Sequence, residues 1–304
     1  MRDNNANNPT QKNKDINAAE AACLAAFTPA FSIDRPTRLS SPLIFASPHS
    51  GHIYPQAFLS QSALSLPELR RNEDAFIDAL FAPASTLGAP LLRAHFPRCF
   101  LDVNRAANEL PPSWGDSAVP LSARAEAGYG VIPLAIAENM PIYTQPPSPN
   151  ITAGRIEGLY HPYHNALKAL ITQAKHAFGH AIIIDCHSMP GFAPMGARRA
   201  DIVLGDCYGK SCEPETIAFI EQSFKTRGYS VTRNYPYAGG YVTSYYAKAY
   251  ENVQTLQIEI NRDLYLNPVT LKPKRSYKVL AQNLEIFIQQ IIAHYSAPMA
   301  EAAE

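Results

Sequence analysis

The sequence predicts an α/β protein, and three observations predict it. Short apolar stretches that read as strands alternate with longer amphipathic stretches that read as helices. One strand, Ala181-Ile182-Ile183-Ile184, is apolar at every position and so reads as buried on both faces in the middle of a sheet. It stops abruptly at Asp185-Cys186-His187-Ser188, and the apolar stretches 44–50 and 254–262 likewise end in His, Glu or Arg. In an open α/β sheet, ligands bind in the crevice at the carboxyl ends of the strands.

Composition narrows the function classes. With 304 residues, 46% of them hydrophobic, the chain can bury one large α/β core or two small ones. Its 26 Lys and Arg balance 26 Asp and Glu, so no basic excess points to nucleic acid and no acidic block to a solvating tail. No apolar run has membrane-spanning length and the start carries no signal-peptide pattern, so no membrane partner is expected. Cys23, Cys99, Cys186, Cys207 and Cys212 are irregularly spaced and form no Cys-x-x-Cys, which rules out a zinc ribbon or thioredoxin-type site. They predict free thiols in a reducing compartment, hence the cytoplasm. The 26 prolines predict many loops, which suits an enzyme with an elaborated site face.

In chain order, residues 1–15 are rich in Asn, Gln and Lys and read as a disordered tail, followed by one α/β domain over 16–304. Residues 16–27 read as a short helix and 41–46 as the first strand. Ser65, Pro67 and Glu68 make a capping box that predicts a helix running to about Phe81, with Glu73 and Asp74 near its middle. Residues 88–94 and 100–103 read as strands, and 109–132, with Trp114 and little periodicity, as a lid or substrate loop. The proline-rich 141–149 reads as extended. A helix is predicted over 155–178, with Pro162 kinking it or marking its true start. Strands at 201–205, 229–233 and 255–260, helices at 214–225 and 276–295, and a loop over 234–244 complete the order.

His49 and His187 each follow a strand. Catalytic zinc is commonly held by two His and a carboxylate with water in the fourth position, and His on separate strand ends suits that geometry. Either one alone is an ordinary loop His; the pair, each flanked by Ser and Gly or Pro, favours a metal. The third ligand is open among Asp74, Glu73 and His52. In 256–262, alternation puts Leu256, Ile258 and Ile260 on one face and Gln257, Glu259 and Asn261 on the other. A carboxylate on so apolar a strand is costly without a partner. Glu259 therefore reads as a general base beside a metal-activated water, or as a buried ion pair with Arg262. Arg98 and Arg105 bracket a strand, and the planar guanidinium fork matches a substrate carboxylate; pairing with Asp102 or Glu109 is the structural alternative. Tyr237-Ala238-Gly239-Gly240-Tyr241 offers backbone N–H groups without side-chain obstruction, a candidate surface to close over a ligand at Tyr237, Gly239 and Gly240. Cys186 and His187, adjacent on a strand, point to opposite faces and do not form a dyad.

Most of these residues fall in seven short motifs that, in order, resemble the N-formylglutamate amidohydrolase family. They are Ser-Pro-His-Ser-Gly (47–51) with Tyr54-Pro55, Glu-Asp-Ala-Phe-Ile-Asp (73–78), Leu-Asp-Val-Asn-Arg (101–105), Asp-Cys-His-Ser-Met-Pro (185–190), Ala-Asp-Ile-Val-Leu-Gly (200–205), Asn234 with 236–241, and Leu-Gln-Ile-Glu-Ile-Asn-Arg (256–262). The resemblance implies a zinc-carboxypeptidase-like fold, a three-layer α/β/α domain with a mixed central sheet. It implies one zinc, with His49, Asp74 and His187 as ligands and Glu259 as base. It also implies that Asn104 and Arg105 receive a substrate carboxylate and that Arg98 polarises the scissile carbonyl. Zinc carboxypeptidases take two ligands from one His-x-x-Glu. Here the residue three after His49 is His52, so the carboxylate ligand comes from elsewhere, and Asp74 matches the family's acidic position. The implied activity releases formate and glutamate from N-formyl-L-glutamate or a similar N-acyl acidic amino acid. The alternatives are an aminoacylase or metallopeptidase acting on other N-acyl amino acids, and a non-catalytic binding protein of the same fold.

Overall fold

The computed structural model describes residues 9–111, 114 and 122–296. Their contacts group into two compact units, each drawn from three separate segments: one up to residue 31 with 52–73 and 95–164, the other 32–51, 74–94 and 165 onward. The strands are β1 (Phe31–Asp34), β2 (Leu43–Ser47), β3 (Leu91–Ala94), β4 (Ala135–Ala137), β5 (Met140–Pro141), β6 (Ala181–Met189), β7 (Ile202–Gly205), β8 (Val231–Arg233) and β9 (Val253–Asn261). β4 and β5 form a small antiparallel pair.

The second unit is built on the seven-stranded sheet, in the order β1-β3-β2-β6-β9-β7-β8. β3, β2, β6 and β9 run parallel to one another, and β7, antiparallel to β9, makes the sheet mixed. All nine residues of β6 are buried, as the unbroken apolar run demands. Alternation sorts the two faces. Ile182, Ile184 and Cys186 of β6 with Leu256, Ile258 and Ile260 of β9 enter one apolar core, shared with the helices Ile77–Phe81, Pro214–Lys225 and Tyr277–Tyr295. The other face is covered by the helix Tyr241–Ala249, whose Thr243 carbonyl accepts the Thr255 hydroxyl of β9. Helices on both faces of a mixed sheet bear out the α/β expectation. Because β2, β6 and β9 are parallel, their carboxyl ends share one edge of the sheet.

Several expectations are corrected. Residues 9–15 are not an unstructured tail: Pro9 opens the helix Pro9–Ala26, a position where its missing N–H costs nothing. The rest of the expected tail lies outside the described residues. The helix expected from Ser65 to Phe81 is two, Leu66–Arg70 and Ile77–Phe81. Between them Phe76 takes a positive φ of 65°, rare for a bulky residue. The second helix is capped from a distance: Ser50 Oγ, just past β2, accepts the Asp78 N–H at 3.1 Å. Residues 100–103 are turns rather than a strand, since Phe100 and Leu101 both donate to the Pro97 carbonyl. The expected loop 234–244 already contains the start of the helix Tyr241–Ala249. The expected lid, 109–132, holds the helix Ala123–Glu126, and part of it lies outside the described residues. Helical backbone begins at Pro149, ahead of the expected 155, and runs through a π-helical turn, Ile156–Tyr160, into His161–Phe178, so Pro162 follows a π-turn inside a continuous helical stretch and does not mark its start.

The first unit packs the helix Pro9–Ala26 against Pro149–Arg155 and Gln56–Leu59. Phe27, Phe58, Phe100 and Tyr143 meet there as edge-on and tilted ring pairs. All five cysteines are free. Among the described residues no helix is long and apolar enough to cross a membrane.

Candidate metal centre

The site grows from the carboxyl ends of β2 and β6. His49 lies two residues past β2, in a turn tied by the Ser47–Ser50 hydroxyl contact, and its carbonyl accepts the Asp74 N–H at 3.0 Å. That bond explains why the predicted helix breaks before Asp74: the chain satisfies the backbone at His49 instead of continuing a helical ladder. On β6, Asp185 and His187 share the face opposite Cys186, which faces the apolar core.

His187 Nδ1 lies 3.0 Å from Asp74 Oδ2, and His49 Nδ1 lies 3.4 Å from the same oxygen. The two imidazole rings are 4.8 Å apart at 59°. One ligand-type atom from each of His49, Asp74 and His187 lies within 4.8 Å of the other two, and all three residues are buried. His187 and Asp74 are held from behind. His187 Nε2 lies 2.9 Å from Asp185 Oδ2. Asp74 Oδ1 accepts from Ser188 Oγ and from Arg262 Nη2, both at 2.9 Å, and Arg262 Nε donates to Ser188 Oγ. With Oδ1 so engaged, Oδ2 is the oxygen left to face the histidines.

The electrostatics favour a cation here. Burial opposes ionisation of Asp74 most strongly, yet the His187 and His49 hydrogen bonds and the Arg262 charge outweigh it and hold the carboxyl well below its usual range. Burial likewise disfavours a charged His187, but Asp185 and then Asp74 push it well above the ordinary imidazole value. The place therefore stabilises positive charge between two carboxylates. Two imidazole nitrogens and a carboxylate oxygen are the donor set of a catalytic zinc, and a carboxylate behind one imidazole is the usual outer partner. The residues present fit a divalent cation.

Glu259 stands beside this cluster: on the parallel neighbour β9 it is the register partner of His187. It is buried, and Gln257 Nε2 donates to its Oε1 at 2.8 Å. Arg262, read from the sequence as its possible partner, goes to Asp74 and Ser188. Of the three candidates for third ligand, Asp74 joins the cluster. Glu73 accepts Arg70 Nε at 2.9 Å within the first unit, and His52 is exposed. Gly239 and Gly240 sit at the amino end of the helix Tyr241–Ala249. Gly239 has φ 133°, and a Cβ there would lie 2.9 Å from Cys207 Sγ, so the position requires glycine. Tyr237, in the same loop, is half-buried.

Arg98, Asn104 and Arg105 belong to the first unit. Arg98 Nη2 pairs with Asp102 Oδ2 at 2.9 Å, the structural alternative weighed from the sequence. Asp102 Oδ1 also accepts the Asn104 N–H. Arg105 Nε donates to the Tyr129 carbonyl and its Nη1 to the Asn104 carbonyl, and burial pulls its guanidinium below the usual value. Sequence reasoning missed the supporting groups Asp185, Ser188, Gln257 and the Asp74–Arg262 pair. Asp185 was findable, because strand alternation puts it on the face of His187.

A sequence model of the family described as N-formylglutamate amidohydrolase matches residues 41–266. The chain belongs to that family. Among N-formylglutamate amidohydrolase relatives, the N-formylglutamate deformylase of Pseudomonas putida is 27% identical over 259 residues, 83% of this chain and 91% of that protein. The Pseudomonas aeruginosa deformylase is 28% identical over 74% of this chain and 82% of its own length. The crystal structure of N-formylglutamate amidohydrolase from Ralstonia eutropha JMP134 superposes with a TM-score of 0.81 at 32% identity, covering 88% of this chain and 98% of that one. The family match spans β2 to β9, and so carries His49, Asp74, His187 and Glu259.

Proposed function

We propose that this chain hydrolyses the formyl amide of N-formyl-L-glutamate to glutamate and formate, with one zinc ion held by His49, Asp74 and His187. The observation that carries this reading is the convergence of those three buried ligand atoms, with Glu259 in register beside His187. The names of the relatives supply the substrate. A zinc ion held by His49, Asp74 and His187 would supply Lewis-acid chemistry, lowering the pKa of a bound water towards neutrality. Glu259 takes the proton of the attacking water and delivers it to the leaving nitrogen as the carbon–nitrogen bond breaks. Gln257 fixes the Glu259 carboxylate in one rotamer through its amide N–H. Asp185 and Arg262 hold His187 and Asp74 in their orientations. Tyr237 and the Gly239-Gly240 backbone form the wall that contacts substrate.

Release of formate from N-formyl-L-glutamate, measured with and without a chelator, tests the reading. Activity abolished by the chelator and restored by zinc is expected. Chelator-resistant activity overturns the metal. Faster turnover of N-acetyl amino acids or dipeptides than of the formyl compound overturns the substrate.

A further inference from the structure

Arg198 and Arg199 are neighbours on the segment joining β6 to β7, yet they are used differently. Arg198 Nη2 donates to Asp201 Oδ1 at 2.8 Å, an ordinary surface ion pair. Arg199 makes no ion pair among the described residues, although its place is closely fixed. Its N–H donates to the Gly191 carbonyl at 2.9 Å and its Nη1 to the Pro190 carbonyl at 3.0 Å. Asn261 Nδ2, at the end of β9, donates to the carbonyls of Arg199 and Ala200. The register of β7 against β9 begins at Ile202–Ile260, so this segment lies at the carboxyl end of β6 and β9, the end that carries His187 and Glu259.

The guanidinium carbon lies over the Tyr237 ring, 5.4 Å from its centroid, within cation–π range. The ring reaches the loop's position because Gly205 has no side chain: a Cβ there would meet the Ala238 carbonyl carbon at 2.7 Å. Burial raises the Tyr237 phenol most; Arg199 lowers it, and the charges of Glu259 and Asp74 raise it further. The ring thus lies within the field of the two carboxylates of the site and carries Arg199 on it.

We propose that Arg199, seated on Tyr237, binds the side-chain carboxylate of the substrate and so selects N-acyl derivatives of acidic amino acids. This rests on the amidohydrolase reading above. The chemistry is that of a partly exposed fork, anchored at Nη1, with no carboxylate among the described residues to answer it, the arrangement that takes a planar anion by paired hydrogen bonds. The geometry picks the side-chain carboxylate rather than the α-carboxylate. The fork is tied to the carbonyl of Pro190, just past the end of β6 and three residues beyond His187, about 10 Å along an extended chain. The α-carboxylate hangs on the carbon that bears the scissile nitrogen and stays near the cation. The distal carboxylate, two methylene groups further out, extends across that distance.

The test is the ratio of kcat/KM for N-formyl-L-glutamate to that for N-formyl-L-glutamine, in the wild type, Arg199→Met and Arg199→Lys. The wild type is expected to prefer the glutamate compound. Arg199→Met should collapse that ratio by roughly 10- to 100-fold, the worth of a hydrogen bond to a charged group, and Arg199→Lys should recover part of it. An unchanged ratio in Arg199→Met, or equal losses on both substrates, overturns the role of Arg199 while leaving the amidohydrolase reading intact. A wild-type enzyme inactive on both compounds sinks that reading instead, and this proposal with it.

Discussion

Two buried charged clusters, one in each unit, look alike by burial and differ in chemistry. In the first unit Arg155 and Glu20 are 1% and 5% exposed. Arg155 Nε and Nη2 donate to the two Glu20 oxygens at 2.6 and 2.8 Å, and Nη1 donates to the Phe100 carbonyl and the Tyr143 hydroxyl. The guanidinium also lies 3.7 Å above the Phe100 ring. Four of the five guanidinium N–H groups meet an acceptor, and both Glu20 oxygens are engaged, so the cluster's charges answer one another without a further ion. In the second unit, the two imidazole Nδ1 atoms face one carboxylate oxygen at 3.0 and 3.4 Å. In their ligating states all three atoms are lone-pair donors. A cation would reconcile them. Burial of charge alone therefore does not mark a site; the pattern of donors and acceptors does.

The sharpest way to break this contrast is to remove a ligand. His187→Ala should abolish stoichiometric zinc and activity together, measured by elemental analysis of protein purified with zinc present. Glu259→Gln should keep the metal and lower kcat by roughly 10²–10⁴. A His187→Ala protein that still holds one zinc would make the cluster an ordinary buried network. The matching change in the first unit is Arg155→Met. It leaves the Glu20 carboxylate buried and uncompensated, and should cost about 3–5 kcal/mol in urea unfolding, while the paired Arg155→Met/Glu20→Leu variant recovers most of the loss. If the double variant stays as unstable as the single one, the Arg155–Glu20 pair is more than a closed structural clamp. A smaller effect separates ligand from support: Asp185→Asn should weaken zinc about 10- to 100-fold without removing the site, read by chelator competition.

The sequence made the strands and the chemistry legible for the same reason. β7 and the opening run of β6 are apolar on both faces, β9 is apolar on one, and only a strand end explains an abrupt run of Asp, Cys, His and Ser. His49, His187 and Glu259 were readable because strand direction fixes where such residues emerge. What was not legible depended on contacts far apart in sequence. The break of the helix between Arg70 and Ile77 is made by the His49 carbonyl and the Ser50 hydroxyl, which no local periodicity encodes. The Asp74–Arg262 pair joins residues 188 positions apart. The edge strand β1 has only four residues, all half-buried, too weak a pattern to separate from a loop.

Ser50 gives the smallest and most specific test of how the candidate metal centre is held. The helix Ile77–Phe81 has Phe76 at its cap position, a side chain with nothing to offer the first N–H groups. Ser50 supplies that cap from the turn that also carries His49, so one hydroxyl ties the start of this helix to a ligand-bearing loop. Asp74 lies between the two, its N–H on the His49 carbonyl. Ser50→Ala should therefore cost about 1 kcal/mol of stability, the worth of a helix cap. It should leave zinc stoichiometry at one while loosening affinity, because the ligands remain but the turn that aims His49 loses its anchor. A variant with wild-type stability and affinity would mean that the His49 turn is held by its apolar packing alone.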